Sequence, residues 1–186
     1  MAVLAHHTVA RERRHRREFL AALLLALLPS TADAASPLED AVRATYVYKF
    51  APFVTWPGTT AGGSFTICVA GTDGVSALLP QAIAGQKFNG QPFVLRPIAA
   101  DVPGDCRILY VAPSASSVLA TLHTRPVLTI AGGETNDAII RLIVLNHHVR
   151  FDIDAGRATG AGLSISSKLL SLARTVTPPA SGDTAR

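Results

Sequence analysis

Reactive chemistry is scarce in this chain. It has two cysteines, one methionine and one tryptophan in 186 residues, and charged side chains make up 16% of it. There is no G-x-S-x-G elbow, and no Lys with Ser/Thr follows a glycine-rich turn as a P-loop requires. The S-x-x-K spacing that would make Lys168 activate a serine fails, because position 165 is Ile. No Cys or carboxylate stands at metal-ligand spacing around His147 and His148, so these read as solvated turn residues, and His123 is isolated. Beyond the N-terminal leader no segment reaches the roughly 18 apolar residues of a membrane span. The mature chain is therefore expected to be soluble, not membrane-embedded, and to hold no metal or cofactor.

The formal charge of +4 suggests nucleic acid only until its location is considered. Arg11, Arg13, Arg14, Arg16 and Arg17 precede an apolar run at 19–28, which is followed by Pro29 and the small-residue triplet Ala32-Asp33-Ala34. That is the plan of a cleaved signal peptide, with cleavage after Ala34. Arg16-Arg17 also fits a twin-arginine signal, and the leucine-rich core fits the general secretory route equally well. Removing 1–34 leaves 12 basic and 10 acidic residues, which gives no electrostatic reason to bind nucleic acid. Export to an oxidising compartment favours a Cys68–Cys106 pair as a plain staple, with a redox-sensitive switch as the alternative.

A single domain is expected over 35–176, with a polar, proline-containing, disordered tail at 177–186. Ser36-Pro37-Leu38-Glu39 reads as a capping box opening a helix, with Leu38, Val42, Tyr46, Phe50 and Phe53 as its apolar stripe. Residues 64–71 and 106–111 are apolar on both faces, as buried strands are. A helix over 75–84 is offset by Pro80, and Ser114 is a candidate N-cap for a helix to Leu122. Asn89-Gly90 marks a turn, residues 126–130 form a short strand, and Asn146-His147 turns a hairpin between 138–145 and 148–154. Val149, Phe151 and Ile153 alternate with Arg150, Asp152 and Asp154, which makes the latter a solvated charged edge. Ile165, Leu169, Leu172 and Val176 form a last helical stripe. The whole is an α/β fold, a single compact domain with a mixed β-sheet flanked by helices.

Two places invite a functional reading. Gly71-Thr72-Asp73-Gly74 joins a strand to a helix start, where amides hold an anion or where the chain simply turns tightly. At Ser166-Ser167-Lys168 the plain account is that Ser164 or Ser166 caps the last helix while Lys168 lies on its exposed side.

The ordered set of residues 46–57 (with F-x-x-W-P), 65–71, 106–111, 149–151 and 162–170 (with I-S-S-K-L-L) resembles the YfiR family of bacterial periplasmic proteins. The resemblance implies a non-enzymatic repressor that binds the periplasmic part of an inner-membrane diguanylate cyclase. It also implies release by an OmpA-like outer-membrane lipoprotein, after which cyclic-di-GMP and biofilm formation rise. Cys68 and Cys106 stand where the family carries a disulfide, whereas a second cysteine pair is missing from 138–151. Partner contacts are placed at Phe53, Trp56, Arg157, Ser166, Ser167 and Lys168, with core packing or capping as the plainer account of each. A homodimer is allowed. The alternatives are a periplasmic small-ligand sensor using residues 71–74 and an exported hydrolase using Ser166, Lys168 and Asp152.

Overall fold

A computed structural model describes residues 36–58, 63–122, 124–133 and 137–179. The expected signal peptide, His123 and most of the expected tail lie outside these residues. The first helix, α1 (Pro37–Lys49), begins as its sequence predicts. The Ser36 hydroxyl accepts from the Glu39 amide while the Glu39 carboxylate accepts from the Ser36 amide. A 3-10 turn (Ala51–Phe53) then leads into β1 (Val54–Thr55).

The α1 stripe differs from the expected one. Leu38 is 75% exposed and Val42 38%, while Ala44, Val47 and Phe50 are buried. The inward seam runs through positions 40, 43, 44, 47 and 50, and its first two members are Asp40 and Arg43, whose side chains are only 14% and 12% exposed. A hydropathy pattern misses a seam that starts with an ion pair.

The main sheet is built from β2 (Phe65–Ala70), β3 (Lys87–Phe88), β4 (Gln91–Ile98), β5 (Cys106–Val111), β6 (Leu128–Gly132), β7 (Ile140–Leu145), β8 (His148–Asp154) and β10 (Thr175–Thr177). Their spatial order is β10-β8-β7-β6-β5-β2-β4-β3. Strands β4, β2, β5, β6 and β7 are parallel, β8 is antiparallel to β7, β3 is antiparallel to β4, and β10 is parallel to β8. A second, two-stranded sheet pairs β1 with β9 (Ser164–Ile165). Helix α2 (Gly74–Ile83) carries Pro80 within it, and two short helices, α3 (Ala155–Gly160) and α4 (Ser167–Leu172), flank β9. The chain is thus an α/β domain with one mixed sheet flanked by helices, and the described residues fall in one compact unit, Ala35–Arg186.

Both hairpin turns sit where the sequence puts them. Asn89 and Gly90, and Asn146 and His147, all have positive φ, as two-residue turns matching the strand twist require. Ser114 is not a cap: residues 113–121 form a 3-10 segment whose N-cap is Ala112, with no side-chain capping bond. The last helix ends at Leu172, so Val176 lies in β10 and Thr177 is its final residue, not the first of a tail.

The sheet separates two apolar clusters. Phe65, Ile67, Ile108, Tyr110, Ile130, Leu142, Phe151 and Ile153 face α1 and α2. Cys68, Ala70, Leu109, Val111 and Ala131 face the 3-10 segment through Val118, Leu119 and Leu122. The Cys68–Cys106 disulfide lies in the second cluster, with Cα atoms 5.8 Å apart and both residues essentially inaccessible. Closing a loop of 38 residues stabilises the fold by roughly 4 kcal/mol in the chain-entropy model. A Cys68→Ala/Cys106→Ala double variant is therefore expected to shift the urea midpoint down by that order. Unchanged stability would mean that the bond restrains little, and an intact mass unaltered by reductant would mean that it is absent.

Candidate functional site

The topology reverses between β2 and β5, where successive connections leave in opposite directions, and α/β sheets commonly bind ligands beyond the carboxyl ends of such strands. The 71–74 loop lies at this point. Its polar groups are engaged by the protein itself. The Asp73 amide donates to Ser76 Oγ (2.7 Å), the Ser76 amide donates to Asp73 Oδ1 (2.8 Å), and Tyr110 Oη donates to Asp73 Oδ2 (2.6 Å). Asp40 of α1 reaches the same helix start so closely that a Cβ on Gly74 would stand 1.9 Å from its Oδ2, and Asp40 is itself paired with Arg43. Burial, then the hydrogen bond from its hydroxyl to Asp73, raises the Tyr110 phenol far above its ordinary range. Gly71, at φ +75°, has no room for a side chain, since a Cβ there would lie 2.9 Å from Ser114 Oγ. Two carboxylates therefore already occupy the helix N-terminus, which is where an external anion would have to go.

Trp56 and Phe53 are set by the neighbouring ladder. Between β2 and β5 the register slips by one residue: Thr66 faces Cys106, and Ile67 faces Ile108. Arg107 is the extra residue, and its carbonyl accepts from Trp56 Nε1 at 3.1 Å. The indole is 4% exposed and packs edge-on against Phe65, so it presents little surface. Phe53 is partly buried against the first cluster, and its carbonyl accepts from the Ser166 amide at 2.9 Å.

The structure therefore brings Phe53 and Ser166 together across the β1–β9 pair. Ser166 caps α4, with its hydroxyl accepting from the Leu169 amide, while Ser167 and Lys168 are exposed. Arg157 lies in α3 and is paired with Asp137 (2.9 Å) and Asp154 (3.2 Å).

The β8 edge differs from its sequence reading. Asp152 is 8% exposed, not solvated, because Arg141 across the hairpin and Arg174 just before β10 both bond it, Arg141 Nη2 at 2.6 Å and Arg174 Nε at 2.8 Å. Burial alone would push its carboxyl up. The hydrogen bonds and charges of Arg174 and Arg141 outweigh that and hold it below the ordinary carboxylate range. Asp154 caps α3. His147 is solvated as read, its side chain 93% exposed, and its Nδ1 lies 3.2 Å from Glu39 Oε1 at the start of α1. The Ser36 amide, more than His147, lowers the Glu39 carboxyl. The contacts of Asp152 with Arg141 and Arg174, and of His147 with Glu39, have no spacing signal, since each joins residues far apart in sequence.

This is an α/β domain whose buried polar groups are engaged in holding elements together. The YfiR/HmsC-like family model matches residues 40–174, so the chain belongs to the YfiR/HmsC-like family. No curated protein matches the chain. Membership supports a periplasmic regulator of diguanylate cyclase signalling.

Two outcomes check this geometry. Gly74→Ala drives a methyl group into Asp40 and is expected to cost about 1–3 kcal/mol in urea unfolding; an unchanged midpoint would show that Asp40 moves freely. The folded-state pKa of Asp152 lies below its unfolded value, so its contribution is present above about pH 4 and fades as pH falls through the folded value. Arg174→Gln should therefore lower the melting temperature more at pH 6 than at pH 3. An equal loss at both would mean that the pair carries no linked stability.

Proposed function

We propose that this protein is a non-enzymatic periplasmic repressor. It binds the periplasmic part of an inner-membrane diguanylate cyclase and holds it inactive, which lowers cyclic-di-GMP and restrains biofilm formation. The observation that carries this reading is the family match across residues 40–174, nearly the whole of the described domain. The chemistry of the interior is consistent with it. Asp73, Asp152 and Ser166, the groups nearest to a catalytic or ligand role, are committed to a helix cap, a double ion pair and a second helix cap. Export by the N-terminal leader brings the domain to the compartment where such a cyclase exposes its sensor segment, and an OmpA-like lipoprotein is the releasing partner.

Phe53, Arg157, Ser166, Ser167 and Lys168 are contact positions, while Trp56 is buried and held by its bond to the Arg107 carbonyl. The small-ligand reading gains nothing from the 71–74 loop, whose helix start is filled by Asp40 and Asp73. Intracellular cyclic-di-GMP should rise in a strain lacking the gene and return to the parental value when the exported form is restored. An unchanged level in a strain with an active periplasm-sensing cyclase would overturn the repressor reading.

A further inference from the structure

Strands β4 and β5 are parallel to β2, which lies between them and pairs with both. Parallel strands are ordinarily joined by about a dozen residues or more, usually a helix. Here the link from Ile98 to Cys106 is the seven residues 99–105, and it holds neither helix nor strand. It crosses β2 as a short strap. Val102 is its one buried side chain, and it enters the second apolar cluster together with Cys68 of β2 and Cys106, the first residue of β5. The strap therefore lies over the disulfide and ends on one of its two cysteines.

Two clasps hold it. Arg125, in the turn that follows the 3-10 segment, donates from Nη1 to the Val102 carbonyl (2.6 Å) and from Nη2 to the Pro103 carbonyl (3.0 Å). Its own backbone is fixed, the amide donating to the Leu122 carbonyl and the carbonyl accepting from the Val127 amide. The 3-10 segment and the residue after it put Val118, Leu119 and Leu122 into the same cluster, so Arg125 joins two pieces of chain that roof the disulfide. At the other end Asp105 accepts from Arg96 Nη1 (2.8 Å) and Thr66 Oγ1 (3.3 Å). Arg96 and Asp105 are both about half exposed, and such pairs hold weakly. With one buried side chain, the strap is a segment of low local stability, and the two charge-assisted bonds from Arg125 are its strongest polar anchor.

Beneath it Cys68 is 0% and Cys106 1% exposed, and exchange with a thiol depends on access to a sulfur. We infer that the 99–105 strap gates that access and that Arg125 holds the gate shut: the bond is reduced when the strap lifts locally, without unfolding of the domain. A thiolate of an external dithiol then attacks one sulfur and forms a mixed disulfide, while the other cysteine leaves as a thiolate and is protonated. The dithiol's second thiolate displaces the first cysteine. Both hydrogens of the dithiol thus end on the cysteines, and the dithiol is oxidised to its cyclic disulfide. The device makes the staple between β2 and β5 answerable to thiols at a rate set by one side chain. It goes beyond the repressor reading and does not depend on it.

The test exposes the full chain, purified with its disulfide formed, to dithiothreitol in urea concentrations below the unfolding transition, with alkylation and intact mass reporting the reduced fraction. The parent's rate is expected to change little with urea, since local opening exposes little surface. Arg125→Gln should raise the rate by about tenfold or more, while Arg174→Gln, which destabilises the domain far from the strap, should leave it near the parental value. A parental rate that climbs with urea as steeply as global unfolding does would overturn the inference. So would a parental rate in Arg125→Gln, or equal acceleration by Arg174→Gln. Should Arg125→Gln fail to accumulate, Asp105→Ala frees the other end of the strap from an exposed position; it is expected to speed reduction, and a parental rate there would count against the gate in the same way.

Discussion

The constraint on which the first half of the domain depends is the Asp73 carboxylate. It accepts from the first turn of α2 and from Tyr110 in the middle of the sheet, and it does so beside the partly buried Asp40–Arg43 pair of α1. A buried acceptor left without its donor costs about 1–3 kcal/mol, and more if charged, so helix, strand and neighbouring helix are placed by one requirement. The rest follows from geometry. Asp40 reaches Gly74 only because that position lacks a Cβ, and Gly132 leaves room for Tyr110 Oη and Arg43 Nη1, both within 3.4 Å of where its Cβ would lie. The place where a related architecture would receive a ligand is thus closed by side chains of the protein itself.

How far the sequence revealed this depended on the range of each interaction. The capping box of α1, the two hairpin turns and the doubly apolar strands are local patterns, and each appears where the residues put it. The disulfide followed from compartment and cysteine count rather than from spacing, and it joins adjacent strands. What failed was inference about faces. Leu38 and Val42 look like core and are exposed, because the inward seam of α1 opens with Asp40 and Arg43. Asp152 looks like a surface charge and is buried, because its two arginines come from positions 141 and 174. Trp56 looks like an interface anchor and instead caps the carbonyl freed by a strand bulge. For Asp152 and Trp56 the deciding partner is distant in sequence, and for α1 a charged pair stands where hydropathy expects the apolar stripe.

The edges of the sheet bear on how a partner can approach. An open strand edge invites another strand, and proteins blunt such edges with proline, charge and short strands. On β4 the Phe93 amide points away from β2, toward Gln86, so alternation turns Leu95 and Pro97 outward too. Pro97 has no amide to offer, and Arg96 alongside is paired with Asp105. At the opposite edge β10 is three residues long and runs directly into Pro178 and Pro179. Addition of a partner strand is disfavoured at both ends. With both edges blunted and its switch point filled, the sheet offers its faces rather than its edges, and among the described residues Ile143 and Leu145 of β7 lie outside both apolar clusters.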